Sequence, residues 1–169
     1  MNVKFLNPFV DAAFEVLKKE TGADIQRGEL ALDKNHYVSD DVTVIIALVG
    51  AVVGNVFYSM SQETAIHLAS RMMSEKLLEF DSLAQSGIAE LGNVITGRAS
   101  MKLSEAGFDA TISPPSLILG KGATISTLDF PRIIVPLNTS AGNFMIHLAL
   151  RQGVRTGLKT SQLQIPPSP

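Results

Sequence analysis

The chain has 169 residues, 46% of them apolar, and a net charge of −2: long enough for one domain with a full core, and without the basic stripe that nucleic acid requires. It has no cysteine, which removes disulfides, zinc–thiolate sites and thiol catalysis. His36, His67 and His147 lie far apart with no HxH or HExxH spacing, so no metal held by the protein is expected.

The opening stretch, MNVKFLNPFVDAAFEVLKKE, has charges at both ends and helical periodicity, but no apolar core or cleavage site of a signal peptide. A first helix is expected from Leu6 or Asn7, with Pro8 in its first turn and Phe9, Ala12, Ala13, Val16 and Leu17 as its apolar stripe. Gly22 ends it, just past Lys18 and Lys19. Strands are expected near 26–33, 37–49 and 53–60, with Asp40-Asp41 as a turn. The run 42-VTVIIALVGAVVGNVFYSM-60 approaches the length of a membrane span. Its β-branched residues and its breaks at Gly50 and Gly54 favour two strands joined by a turn, so no membrane insertion is expected and the protein should be soluble and cytoplasmic. Ser61, with Glu63 and Thr64, opens a second helix over 62–75, with Ala65, Leu68, Ala69, Met72 and Met73 inward. A long third helix covers 80–106 and stops at Gly107. Pro114-Pro115 excludes helix there, and strands follow at 116–119, 123–128, 131–138 and 143–150, with Asp129-Phe130-Pro131 as a turn. Residues 1–151 make a single domain, and the polar, proline-rich tail 152–169 is expected to be irregular or disordered. Met60, Met72, Met73, Met101 and Met145 read as core fillers. His147 reads as a core or edge residue rather than a ligand, and Arg132 as the partner of a carboxylate that the sequence does not identify.

The chain also looks internally doubled. At an offset of 85, 18-KKETGADI-25 lies on 103-LSEAGFDA-110, matching Glu20 with Glu105, Gly22 with Gly107 and Asp24 with Asp109. At an offset of 88, 44-VIIALVGAVVGNVFY-58 lies on 132-RIIVPLNTSAGNFMI-146, with Gly54-Asn55 on Gly142-Asn143 at a hairpin turn in both. The expected fold is therefore α/β in α+β layers: internally duplicated helix–strand–hairpin units, with a mostly antiparallel sheet packed against helices.

The third helix carries a polar strip. On a helical wheel Phe80, Ala84, Ile88, Leu91, Ile95 and Ala99 form the core seam. Ser86, Glu90, Asn93 and Gly97 fall together on the opposite side within about 60° of arc. A solvated face normally carries Lys, Glu and Gln in i,i+4 ion pairs. This strip carries none between Asp81 and Arg98, and it tolerates serine and Gly97, while Gly87 and Gly92 flank the two faces and suit close helix packing, each glycine at about 1 kcal/mol relative to alanine. A docking surface explains those choices better than solvent. One carboxylate and one carboxamide supply neither nucleophile nor metal cage. An amide can hold a water by donating and accepting at once, and a carboxylate can pair with a lysine. Such a site works on phosphorus only if a partner brings the metal and the phosphoryl group.

Ser86-x-x-x-Glu90-x-x-Asn93, followed by Gly97-x-Ala99, resembles the signature helix of the CheC/CheX/FliY phosphatases of bacterial chemotaxis. The likeness to the CheX branch extends to the opening helix, the block 42–73, 99-ASMKLSEAG-107 and 112-ISPPSLILG-120, about residues 1–150 in all. The resemblance implies a CheC/CheX-like fold and dephosphorylation of a response regulator, a CheY-like receiver carrying an aspartyl phosphate. It gives Asn93 the orienting of the attacking water, Glu90 the regulator's lysine, and Ser86 and Gly97 the docking face. It implies no cofactor on this chain, with Mg2+ on the partner regulator. CheC-like members carry two motifs, but at an offset of 85 Glu90 and Asn93 fall on Phe5 and Pro8, which cannot do the chemistry. One site per chain resembles CheX, which implies a homodimer formed by extending a sheet. The alternative is a non-catalytic adaptor of the same fold that binds a receiver or the flagellar switch.

Overall fold

The computed structural model describes residues 3–127 and 130–154. A 3-10 turn at Val3–Phe5 leads into α1, Leu6–Thr21, and Gly22 closes it in the left-handed conformation at φ 63°. Three short strands follow: β1 (Ile25–Arg27), β2 (Ala31–Asp33) and β3 (Tyr37–Val38). A long hairpin, β4 (Val42–Gly50) and β5 (Val52–Met60), leads to α2 (Gln62–Met73) and α3 (Ser82–Glu105). The second half runs β6 (Ala110–Ile112), β7 (Ser116–Leu119), β8 (Thr124–Ile125), β9 (Arg132–Thr139) and β10 (Gly142–Gln152).

The strands form an eight-stranded sheet in the order β1-β9-β10-β5-β4-β6, with β2 beside β1 along β9 and β7 beside β6 along β4. β3 and β8 pair separately as a two-stranded ribbon. The doubling read from the sequence is present in the fold. An offset of 85 carries β1 onto β6, and β2 onto β7 but for its last residue. Each half sends its outer strands to the hairpin of the other: β1 and β2 pair with β9, and β6 and β7 pair with β4. The two hairpins meet at β5–β10, so neither half can close its sheet alone.

The alternation of each strand then settles the layers. Val44, Ile46, Leu48, Val56, Tyr58, Val135, Leu137, Ile146 and Leu148 face the helices in one buried core with Phe9, Leu17, Leu68, Ile88, Leu91 and Ile95. The opposite face carries a smaller cluster of Tyr37, Phe57 and Ala149, with Ile45, Ile125 and Phe130 against it. No helix of the described residues is long and apolar enough to cross a membrane.

Several expectations need correction. The stretch 26–33 is two strands, because Gly28 leaves the ladder to donate its N–H to the Pro136 carbonyl, 2.8 Å away, where proline has no N–H to return. Gly54-Asn55 is not a hairpin turn. The turn lies at Ala51, and Gly54 sits inside β5 at φ 141°, where a Cβ would collide with the Ala149 carbonyl oxygen on β10. A glycine inside a strand marks close backbone approach as readily as a turn. The stretch 37–49 breaks at Ser39–Asp41, which separates the ribbon strand from β4, and β6 was not expected at all. Met101 is not a core filler but is 57% exposed on α3. Gln152, expected in the tail, still pairs with Val52; residues 155–169 and Asp129 lie outside the described residues.

Arg132 finds its carboxylate in Asp33, at 2.7 Å, and donates to the Asn35 carbonyl at 2.7 Å. His147 is buried, with Nε2 3.1 Å from the Ser59 hydroxyl and Nδ1 without a partner. Burial, reinforced by the nearby Arg132 charge and opposed by Asp33, lowers the His147 pKa to about 4, so the ring is neutral at neutral pH.

Candidate functional site

The helix α3 starts where Asp81 accepts a hydrogen bond from the Ala84 N–H at 2.9 Å, a side-chain N-cap. Its inner face is the predicted seam, with Ala84, Ile88, Leu91, Ile95 and Ala99 all buried, but Phe80 precedes the Asp81 cap, outside the helix expected from residue 80, and packs partly buried against the core. Two of its glycines have a packing role. A Cβ at Gly92 would stand 2.9 Å from Val44 Cγ1 and 3.2 Å from Tyr58 Cδ2, so only glycine lets α3 lie this close to β4 and β5. A Cβ at Gly87 would stand 3.0 Å from Met73 Cε on α2. Gly97 is different: its nearest neighbour would be Ile112 Cδ1 at 3.9 Å, ordinary contact distance.

A hydrogen-bond chain pins the same segment. Thr96 donates to the Gly92 carbonyl at 2.8 Å, so the Tyr58 hydroxyl, 2.7 Å from Thr96 Oγ1, is the donor to it. Burial raises the Tyr58 phenol well above its ordinary pKa, and the proton stays where this bond needs it. On the α1 side, Glu15 receives Arg98 at 3.0 Å and Lys102 at 2.8 Å. Those hydrogen bonds, Lys102 first, lower the Glu15 pKa. On the sheet side, Ser100 donates to the Ala110 carbonyl at 2.9 Å. The helix is thus tied on both flanks and from below.

Ser86 and Glu90 are exposed, and Asn93 and Gly97 are half-buried along the same outer face. Among the described residues no side chain hydrogen-bonds or ion-pairs with Glu90 or Asn93. One carboxylate and one primary amide stand about 4.5 Å apart along the axis and about 60° apart around it, both free to engage a visitor. The geometry brings all four predicted residues onto one accessible surface. The sequence reading did not find Tyr58 and Thr96, which hold this segment down. The signal was the threonine at i+4 from Gly92 on the buried side, which needs a polar partner. An open groove of about 880 Å³ along α2, lined in part by Ile66, His67, Arg71 and Leu78, is separate from this face. Among the described residues no group of three or more His, Asp or Glu could hold a metal ion.

The fold, a sheet of two interlocked hairpin units covered by helices, is shared with known proteins. The family model described as chemotaxis phosphatase CheX matches residues 42–138, more than half of the chain. The chain belongs to the CheX family of chemotaxis phosphatases. It is 28% identical over 156 residues to the CheY-P phosphatase CheX of Thermotoga maritima, covering 90% of this chain and 99% of that one. A CheC-like superfamily protein from Shewanella sp. PV-4 superposes with a TM-score of 0.81 at 29% identity, over 89% of this chain and 99% of that one. CheX of Borrelia burgdorferi, solved in complex with CheY, BeF3 and Mg2+, superposes at 0.77 with 28% identity, over 89% of this chain and all of that one.

Proposed function

We propose that this chain dephosphorylates a response regulator, hydrolysing the aspartyl phosphate of a CheY-like receiver. The observation that carries the reading is the unpartnered pair, Glu90 and Asn93, one turn apart on a charge-poor outer helix face that is fixed from beneath. The Asn93 amide donates to and accepts from one water and aims it at phosphorus, in line with the leaving carboxylate. The water oxygen bonds to phosphorus and the bond to the aspartate oxygen breaks. Inorganic phosphate and the free carboxylate leave, and the water's proton goes to the phosphate. Glu90 pairs with a receiver lysine and so sets register. Ser86 and Gly97 admit the visitor closely. The receiver's own acidic pocket holds the Mg2+ that neutralises the phosphoryl oxygens, so this chain binds no cofactor. The T. maritima relative named as a CheY-P phosphatase and the Borrelia complex with CheY support the choice of substrate. We further propose a cytoplasmic homodimer joined through a sheet edge, β2 or β7, which expose Leu32 and Leu119; light scattering of the purified protein reads this mass directly.

The test follows loss of acyl phosphate from a phosphorylated receiver in Mg2+ buffer, against its spontaneous rate. Wild type should accelerate it. Asn93→Ala should lose about 100-fold or more in kcat, the scale of removing one positioned catalytic amide, with unchanged circular dichroism. Equal, accelerated rates for the two proteins would take the chemistry away from Asn93, and rates no faster than the spontaneous one would leave the chain as a non-catalytic adaptor for receivers or the flagellar switch.

A further inference from the structure

Glu90 stands between two rows of α3. On one side lie Ser86, Asn93 and Gly97. On the other, within about 40° of Glu90 around the axis, lie Leu83, Val94 and Met101. These three are large, apolar and 55%, 36% and 57% exposed, although they sit on a helix whose inner seam is already filled by other residues. Scattered exposed apolar side chains need no explanation, but three along a single helical row, two and three turns apart, form a stripe.

We propose that Leu83, Val94 and Met101 are the apolar half of the receiver-docking surface and set affinity and receiver choice, while Glu90 and Asn93 set the chemistry. The proposal rests on the phosphatase reading of this helix. The occupant follows from area. A standard interface buries about 800 Å² per partner, a patch of about 16 Å radius. The three residues lie about 10, 6 and 16 Å along the axis from Glu90, so a receiver close enough for its lysine to reach Glu90 covers the row. With Glu90 the lone charge between Asp81 and Arg98, an apolar surface beside the receiver's acidic pocket suits this helix, and a charged one does not.

The test replaces all three with glutamine, a good helix former close in length to Leu83 and Met101, which removes apolarity. Activity is measured on a phosphorylated receiver in Mg2+ buffer, and binding on the same receiver activated with beryllofluoride. The triple variant Leu83→Gln/Val94→Gln/Met101→Gln should raise KM and the binding constant Kd at least tenfold and leave kcat within twofold. Each single variant should give a smaller rise of the same kind, which serves if the triple variant fails to fold. Unchanged KM and Kd in folded variants overturn the proposal, as does a fall in kcat with KM untouched. If Asn93→Ala keeps full activity, the catalytic reading fails, while weaker beryllofluoride-receiver binding by the glutamine variants would still uphold the docking row.

Discussion

The two halves of the molecule use corresponding helical segments in opposite ways. At an offset of 85, Glu90 and Asn93 correspond to Phe5 and Pro8. Phe5 is fully buried and meets Phe108 edge-on at 5.3 Å, while Pro8, in the first turn of α1, is half-buried. Glu90 is exposed and Asn93 is accessible on the outer side of α3. The corresponding positions therefore pack inward in one half and lie open to a visitor in the other.

The largest test of that contrast is a truncation at its packing end. Phe5→Ala removes a wholly buried ring and should cost about 3–5 kcal/mol of stability. A urea midpoint reads it, and kcat at temperatures where the variant remains folded should stay near wild type. Position 90 should behave in reverse: Glu90→Ala should leave the stability within about 0.5 kcal/mol, the usual effect of an exposed substitution, and raise KM for the phosphorylated receiver.

The opposite sheet face offers a comparison of another kind, between a core that titrates and a core that does not. His147 is neutral when folded because burial and Arg132 hold its pKa near 4, while the unfolded ring titrates near 6.5. As pH falls from 6.5 to 4 the unfolded chain takes up a proton that the folded chain refuses, so stability is lost across that window, on the order of 3 kcal/mol. His147→Gln removes this ionisation and should flatten the fall in urea midpoint between those two pH values. An equally steep fall in the variant would assign the acid sensitivity to other groups.

Much of this was legible from local pattern. The helices, the hairpin strands and the outward strip on α3 follow from period and capping, because each records a choice between core and solvent made within a few residues. The doubling was legible too, and shifting β1 by 85 residues would have placed β6, whose three residues are too short to declare a period. The misread features depend on other parts of the chain. Gly54 reads as a turn because its close neighbour, the Ala149 carbonyl, is distant in sequence. Residue type alone puts Met101 in the core, but its wheel position lies beside Glu90 and outside the seam, where it is exposed. Tyr58 and Thr96 are 38 residues apart, and only the folded sheet brings the two hydroxyls together.

Intermediate in size is the clamp under the site. Tyr58→Phe removes the donor to Thr96 while Thr96 keeps its bond to the Gly92 carbonyl, so one buried hydrogen bond is lost, about 1 kcal/mol. If the clamp also aims Asn93, kcat falls with KM unchanged, and Thr96→Ser, which retains the hydroxyl, stays close to wild type. A stability loss with no change in kcat would leave the clamp a packing feature alone.

The smallest effect separates the two glycine roles. Gly92→Ala gains about 1 kcal/mol of helix propensity but drives a methyl into Val44 and Tyr58, an overpacking cost of about 1–3 kcal/mol, so it should be neutral to destabilising. Gly97→Ala meets its nearest neighbour, Ile112, only at 3.9 Å and should keep most of that propensity gain, stabilising the protein by about 0.5–1 kcal/mol. The added methyl at 97 then occupies space on the docking face, so KM for the receiver should rise as the thermal midpoint rises. A variant more stable and less competent would mean that Gly97 is kept against the interest of the helix, for the partner. If Gly97→Ala gained stability with KM unchanged, the glycine would owe nothing to docking, and the close approach would have to be carried by Ser86 and the apolar row alone.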